Sequence, residues 1–200
     1  MEKLRLSDNS FLYTGPIPAH ASPSVQQLLT LKPDDVGKVV IAGREIPTPR
    51  YVSHYIRPYA YTGLVHAAQP LPSLLQPLLD WATTILATIE DGKWKTYRFN
   101  QALVNYYMDG MHYIGRHSDD ERQLLPDSPV FSASFGQERC FRIREKKTRH
   151  IVSDISMANG TVIVMCGKMQ KEYTHEVPKV TGEKGRVMGP RVNVTFRIFK

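Results

Sequence analysis

The run "PRVNVTFRIFK" (Pro190–Lys200) alternates without a break. Successive side chains of an extended chain point to opposite faces, so Val192, Val194, Phe196 and Ile198 share one face and Arg191, Asn193, Thr195 and Arg197 share the other. The first face belongs in a core. The second carries two guanidinium groups, an amide and a hydroxyl, and no acid, whereas an ordinary solvent face mixes Lys with Glu. Arginines pair with carboxylates through two parallel N–H donors, so two of them on one strand face can grip both ends of a short dicarboxylate.

Working outward from this strand, segments 97–108, 130–135, 139–144, 150–155, 161–166 and 191–199 are rich in Val, Ile, Phe, Tyr and Thr, with turn signals between them, and are predicted as strands. Helical signals come earlier. "SPSVQQLLTL" predicts a short helix with Ser22 as N-cap and Pro23 at its first position. "PSLLQPLLDWATTILATIE" repeats Leu71, Leu74, Leu75, Leu78, Leu79, Ala82, Ile85, Leu86 and Ile89 at helical spacing, with Pro77 shifting its start. Between them, "VGKVVIAGREIPTPRYVSHY" reads as a strand, a turn at Ala42-Gly43 and an extended segment. Helices followed by a run of strands predict an α+β fold, a sandwich or jelly roll with the N-terminal helices packed on one sheet. The expected organisation is one domain: a lead-in (irregular over 1–20) and helix over 1–38, a segment over 39–70, a supporting helix over 71–91 and a jelly-roll core over 92–200.

Two hundred residues suffice for one domain with its own core, and 42% hydrophobic with 22% charged residues is ordinary for a globular chain. No apolar run reaches the length of a membrane span, and the first residues lack the apolar stretch of a signal peptide, so no membrane partner and an intracellular protein are expected. Cys140 and Cys166 have neither metal-like spacing nor disulfide-scaffold density. A net charge of +7 favours a polyanionic partner, nucleic acid above all. The densest basic run, Glu138–His150, is expected to contact phosphates.

In "GRHSDDERQ" (Gly115–Gln123), His117 and Asp119 stand two apart, and on an extended backbone they face the same way. Alone this is as well explained by a polar turn. A third ligand from a distant segment changes the balance, and His175 in "YTHEVPK" is the candidate, since it follows the strand "GTVIVMCG" and precedes the arginine face. Two His and one carboxylate form the facial triad of a non-haem Fe(II) oxygenase, and a dicarboxylate clamp beside it suggests 2-oxoglutarate. Asn105 and Tyr107 share a strand face and carry hydrogen-bonding tips.

Together, "NYYMDGMHYIGRHSDDE", "LLPDSPVFSASFG", "NGTVIVMCG", "THEVP" and "PRVNVTFR" resemble the AlkB family of Fe(II)/2-oxoglutarate dioxygenases over about residues 40–200, with the animal homologues that repair alkylated DNA the best match. The resemblance implies a double-stranded β-helix. It implies Fe(II) on His117, Asp119 and His175, and 2-oxoglutarate, with O₂ as the other co-substrate, bound by Asn105, Tyr107, Arg191, Asn193, Thr195 and Arg197. Asp120 and Glu121 match the family's acids near the target base. "PRYVSHYIRPYAYTG" resembles its nucleotide-recognition segment, with Arg50, Tyr59, Tyr61 and Thr62 on the substrate. The implied activity is oxidative dealkylation of N-alkylated bases of the 1-methyladenine and 3-methylcytosine type in DNA, releasing formaldehyde, by a monomer that is nuclear if the source is eukaryotic. A base inside a duplex must be flipped out for such chemistry. The family's base-flipping finger falls on Ile41, Ala42 and Gly43, where Ala42 replaces a bulky wedge, so the same chemistry on RNA or single strands is the alternative.

Overall fold

A computed structural model of the chain describes residues 1–61 and 63–200, with the side chain of Ile41 outside the description. In chain order the elements are β1 (Glu2–Arg5), β2 (Ser10–Pro16), α1 (Val25–Leu29), β3 (Lys38–Ile41), β4 (Arg44–Pro47), β5 (Tyr51–Tyr55), β6 (Tyr59–Tyr61), β7 (Leu64–His66) and α2 (Gln76–Leu86), followed by β8 (Gln101–Tyr107), β9 (Ile114–His117), β10 (Val130–Gly136), β11 (Arg139–Glu145), β12 (Ile151–Met157), β13 (Thr161–Gly167), α3 (Met169–Glu172), β14 (Tyr173–Val177), α4 (Gly182–Arg186) and β15 (Arg191–Arg197).

Two antiparallel sheets face each other. The larger has the order β1-β2-β13-β10-β15-β8-β5 and the smaller β12-β11-β14-β9. From β8 to β15 the chain passes from one sheet to the other at every step except the β11–β12 hairpin, which is the jelly-roll arrangement expected from the strand run. β15 sits in the middle of the large sheet, paired with β10 on one side and β8 on the other, and all seven of its residues are buried. Its apolar face enters the core under the helices, where Val192, Val194 and Phe196 pack with Leu78, Ala82, Leu86 and Phe131. Its polar face looks into the space between the sheets.

The two expected helices are present, one shifted at its start and the other, expected over 71–91, confined as an α-helix to Gln76–Leu86 with single 3-10 turns at Ser73–Leu75 and Glu90–Gly92. The helix after Pro23 starts at Val25, because Ser24 is the N-cap: its hydroxyl accepts from the Gln27 N–H while Gln27 Oε1 accepts from the Ser24 N–H. This reciprocal capping box outcompetes the single cap expected at Ser22. Pro77 enters at the first turn of α2, where its missing N–H costs nothing.

Two expectations are corrected. Residues 1–20 are not irregular: β1 and β2 form a hairpin, and β2 pairs with β13 over seven residues from Ser10 to Pro16. β5, from the 39–70 segment, also joins the large sheet beside β8, so the barrel draws strands from outside 92–200. The remainder of that segment forms two separate hairpins, β3–β4 and β6–β7. Among the described residues, no helix is long and apolar enough to cross a membrane.

Candidate active site

A cavity of about 630 Å³ opens between the two sheets. Its floor comes from β8 and β15. These strands pair in a register that sets Tyr107 opposite Arg191 and Asn105 opposite Asn193, so the polar tips of both converge. β10 adds Ser132 and Ser134 through the same pleat. Arg191 is 2% exposed and donates from Nη2 to Ser134 Oγ at 2.8 Å, while its Nε and Nη1 meet no protein acceptor. Burial pulls its pKa below the ordinary value, and the Tyr107 ring lies 5.0 Å from its Cζ. A buried guanidinium with two unpartnered nitrogens is costly in water-poor surroundings and is satisfied by an anion.

Arg197, at the other end of β15, is differently employed. Its Nη2 and Nε donate to Asp119 Oδ1 at 2.6 and 3.1 Å, and Nη1 donates to Gln101 Oε1 at 3.2 Å. Two further N–H donors are left. Burial works against the Arg197 charge, and Asp119 more than reverses it, so the guanidinium pKa ends above its ordinary value. Asn193 spends its amide on Ser132 Oγ and the Ala133 carbonyl and accepts from Thr195 Oγ1, so Asn193 and Thr195 line the cavity with their polar atoms largely committed to each other and to β10. Asn105 Oδ1 accepts from Arg50 Nε at 2.7 Å, which ties Arg50 to the floor rather than to the mouth of the cavity.

The ligands expected for a metal meet on the opposite wall. His175, which the sequence places only after the strand "GTVIVMCG", is on a strand of its own. It is the central residue of β14, directly across from His117 on β9, and the two ring centroids are 4.3 Å apart. Asp119 lies just beyond the end of β9, with its Oδ2 3.7 Å from His175 Nε2. Among the described residues, no three His, Cys, Asp or Glu side chains are arranged to grip an ion as they stand. Their chemistry nevertheless fits one. His117 Nδ1 lies 2.9 Å from the Gly115 carbonyl, which can only accept, so the proton is on Nδ1 and Nε2 keeps its lone pair. Burial lowers the pKa of His117, and burial together with His117 pushes His175 down to about 3, so both rings are neutral at pH 7. Burial alone would raise Asp119; Arg197 and the two histidines more than offset it and hold the carboxylate at about 2. Two neutral imidazoles and one ionised carboxylate suit a divalent ion.

At the cavity mouth the expected substrate residues divide. Glu121 Oε2 is buried without a hydrogen-bond partner, and burial, then Asp119, raises its pKa. Asp120 is exposed and turned to Lys146 Nζ at 3.1 Å and to the Ser118 hydroxyl at 2.9 Å. Tyr59 is 2% exposed, packed between Tyr61, Phe199 and the Arg197 guanidinium, so it braces the wall rather than offering an open face. Tyr61 is more open and stacks on His66 at 4.3 Å, and His66 stacks on His54 at 4.7 Å. Thr62 lies outside the described residues, as does the Ile41 side chain. Ala42 and Gly43 form the two-residue turn of β3–β4, both with positive φ, and Ala42 is exposed. That left-handed geometry disfavours a bulky residue, which accounts for the missing wedge.

The basic run is not a free phosphate surface. Arg139 is buried and donates to the carbonyls of Asp109, Gly110, His112 and Pro178. Arg142 pairs with Asp154 and Arg144 with Glu176, which leaves Lys147, Arg149 and His150 exposed at the turn. Ser132, Ser134 and Gln101 were not expected at the site. The alternation in "VFSASFG" and "QALVNYY" carries them, since each shares its strand face with a cavity residue.

The 2OG-Fe(II) oxygenase superfamily profile matches residues 26–197. The chain belongs to this superfamily. Such oxygenases use Fe(II), 2-oxoglutarate and O₂, and the buried donor-rich floor beside the His/Asp cluster fits that set. Curated AlkB homologues are among the relatives, in line with the motifs. DNA oxidative demethylase ALKBH2 of Mus musculus is 32% identical over 172 residues, covering 81% of this chain and 66% of its own. Alpha-ketoglutarate-dependent dioxygenase alkB homolog 3 of Mus musculus is 34% identical over 160 residues, covering 76% of this chain and 52% of its own. The chain thus spans between half and two thirds of the length of these relatives. A solved structure of OsALKBH1 superposes with a TM-score of 0.55 at 16% identity, over 86% of this chain and 89% of that one, a likeness of fold.

Proposed function

We propose that this oxygenase removes alkyl groups from ring nitrogens of nucleobases in DNA, of the 1-methyladenine and 3-methylcytosine type. The observation that carries the reading is the single cavity in which the anion-seeking floor, the His117–Asp119–His175 cluster and a mouth of Tyr61 and Glu121 meet. Arg191 and Tyr107 receive one carboxylate of 2-oxoglutarate, with Asn105 at their side. Arg197 serves both Asp119 and the other carboxylate, and so ties the co-substrate to the metal carboxylate. His117, Asp119 and His175 would hold the ion. An ion bound there would supply oxidation of the N-linked methyl carbon by O₂, with 2-oxoglutarate leaving as succinate and CO₂ and the oxidised methyl leaving as formaldehyde. Glu121 offers an unpaired buried acceptor to an exocyclic amine or a base made cationic by alkylation, and Tyr61 offers a stacking face.

The test is incubation of methylated oligonucleotides with the protein, Fe(II), 2-oxoglutarate and air. Loss of 1-methyladenine or 3-methylcytosine with release of formaldehyde is expected; methyl groups retained on both DNA and RNA would refute the reading. The exposed Ala42 at the hairpin tip favours a second version, in which single strands, DNA or RNA, are taken in preference to duplex. Rates on matched single-stranded DNA, duplex DNA and RNA decide it: a several-fold preference for single strands is expected, and equal or faster duplex turnover would exclude it.

A further inference from the structure

Asp119 lies past the last pair of β9 and β14, so no sheet partner fixes its backbone. Its N–H is instead donated to Gln170 Oε1 at 2.9 Å. Gln170 sits on the single-turn helix α3, and its Nε2 contacts Met165 Sδ at 3.3 Å. Lys146 Nζ donates both to the Gln170 carbonyl and to Asp120 Oδ2, at 2.8 and 3.1 Å, so α3 is linked to two successive residues of the turn. The helix is tied down from its far side. Ser7 and Ser10 hydroxyls donate to Glu172 Oε2 at 2.8 and 2.6 Å, the Lys168 N–H donates to the Asn9 carbonyl, and the Tyr173 hydroxyl donates to the Leu6 carbonyl. All four tethers come from the β1–β2 hairpin, which precedes residues 26–197 of the superfamily match.

We propose that Gln170 is a positioning residue for the Asp119 carboxylate, and that the β1–β2 hairpin fixes the helix that presents it. The inference rests on the metal reading above. Two restraints act on Asp119: Arg197 holds the carboxylate from the cavity floor, and Gln170 holds the backbone from behind. Without Gln170, the turn relaxes and the carboxylate follows Arg197 instead of the line between His117 and His175. Partners that orient a ligand in this way typically change metal affinity by about 10–100-fold when removed.

The probe is Co(II) added to the full chain, with affinity read by calorimetry and geometry by its visible absorption. Gln170→Leu is expected to bind Co(II) about 10-fold more weakly and with an altered spectrum, while the melting temperature of the metal-free protein falls only by the few degrees that one lost hydrogen bond explains. Gln170→Asn, one methylene too short to reach the Asp119 N–H, should follow it, and covers the case in which the leucine variant fails to fold. Gln170→Glu keeps an acceptor at full reach and should restore both affinity and spectrum. Wild-type affinity and spectrum in Gln170→Leu or Gln170→Asn, or a Gln170→Glu variant as weak as Gln170→Leu, would overturn the proposal. A Ser7→Ala/Ser10→Ala double variant should weaken Co(II) in the same direction by a smaller factor; unchanged affinity would remove the hairpin from the account. If the wild-type chain itself binds no Co(II), the metal reading fails and this inference with it, whereas wild-type binding that is indifferent to Gln170 sinks this inference alone.

Discussion

The two ends of the cavity are built in different ways. The floor is made of neighbouring strands at the centre of a seven-stranded sheet, where Arg191, Asn193, Thr195 and Arg197 are each no more than 7% exposed and their positions follow from the register of β15 with β8 and β10. The mouth is made of turns and two small hairpins, held by a stack of Tyr61, His66 and His54 and by single tethers to the 118–121 turn. The floor is set by pairing and the mouth by side-chain packing. A change on the floor is therefore felt by the chemistry and by the sheet together, and a change at the mouth by one or the other.

The largest effect is expected where wall and floor are joined. Asp119→Ala removes the carboxylate on which two Arg197 donors rest. Turnover should fall by at least about 100-fold, and leaving a buried charge without its partner should cost about 3–5 kcal/mol in denaturant unfolding. Retained turnover would remove Asp119 from the metal cluster, and unchanged stability would mean that the Arg197 pair is solvated. Arg191→Met separates the two consequences. Binding of 2-oxoglutarate should weaken by roughly 100-fold, since a charge-assisted pair is lost. The co-substrate-free protein should be no less stable, and by about 1 kcal/mol more stable, because a buried guanidinium with unpaired donors is gone. Thermal shifts with and without 2-oxoglutarate measure both, and a destabilised variant that still binds would break the comparison.

At the mouth, the smaller effect is one of pH. Burial, then His66 and the Arg197 and Arg50 charges, pushes His54 down to about 3 from an ordinary 6.5. A histidine depressed in the folded state contributes fully above the unfolded pKa and loses that contribution as pH falls from about 6.5 towards 3, at up to about 1.4 kcal/mol per pH unit. His54→Phe keeps a ring in the stack and should make this acid limb of the stability curve shallower between pH 6.5 and 4 by up to about 1.4 kcal/mol per pH unit, the share of His175, also held near 3, remaining. An acid limb as steep as in the wild type would show that His54 protonates freely and that the stack is not tight.

The same contrast explains what was legible in the sequence. The alternation of "PRVNVTFRIFK" could be read because a period of two survives wherever both faces of a strand meet different surroundings. His117 and Asp119 could be paired by spacing, although only His117 is on a strand. The sequence places His175 after a strand rather than on one, since "YTHEV" is short and its partner β9 is nearly 60 residues away in the chain. The N-terminal hairpin looks irregular in the sequence for a similar reason: "SDNS" and "GPIP" are turn signals, and the strand that recruits β2 lies some 150 residues downstream. Gln170 had no sequence signal, because nothing in its neighbours points to a backbone N–H 51 residues before it.

The β3–β4 and β6–β7 hairpins pair only within themselves, outside both large sheets. They can therefore be exchanged as cassettes. Grafting β3–β4 hairpins of other lengths or tip residues, or β6–β7 hairpins that keep the buried Tyr59 against Arg197, would change which polymer, strand form or base reaches the cavity without disturbing the ladder that carries the arginines, and selection acting on such a chain can revise its target independently of its chemistry.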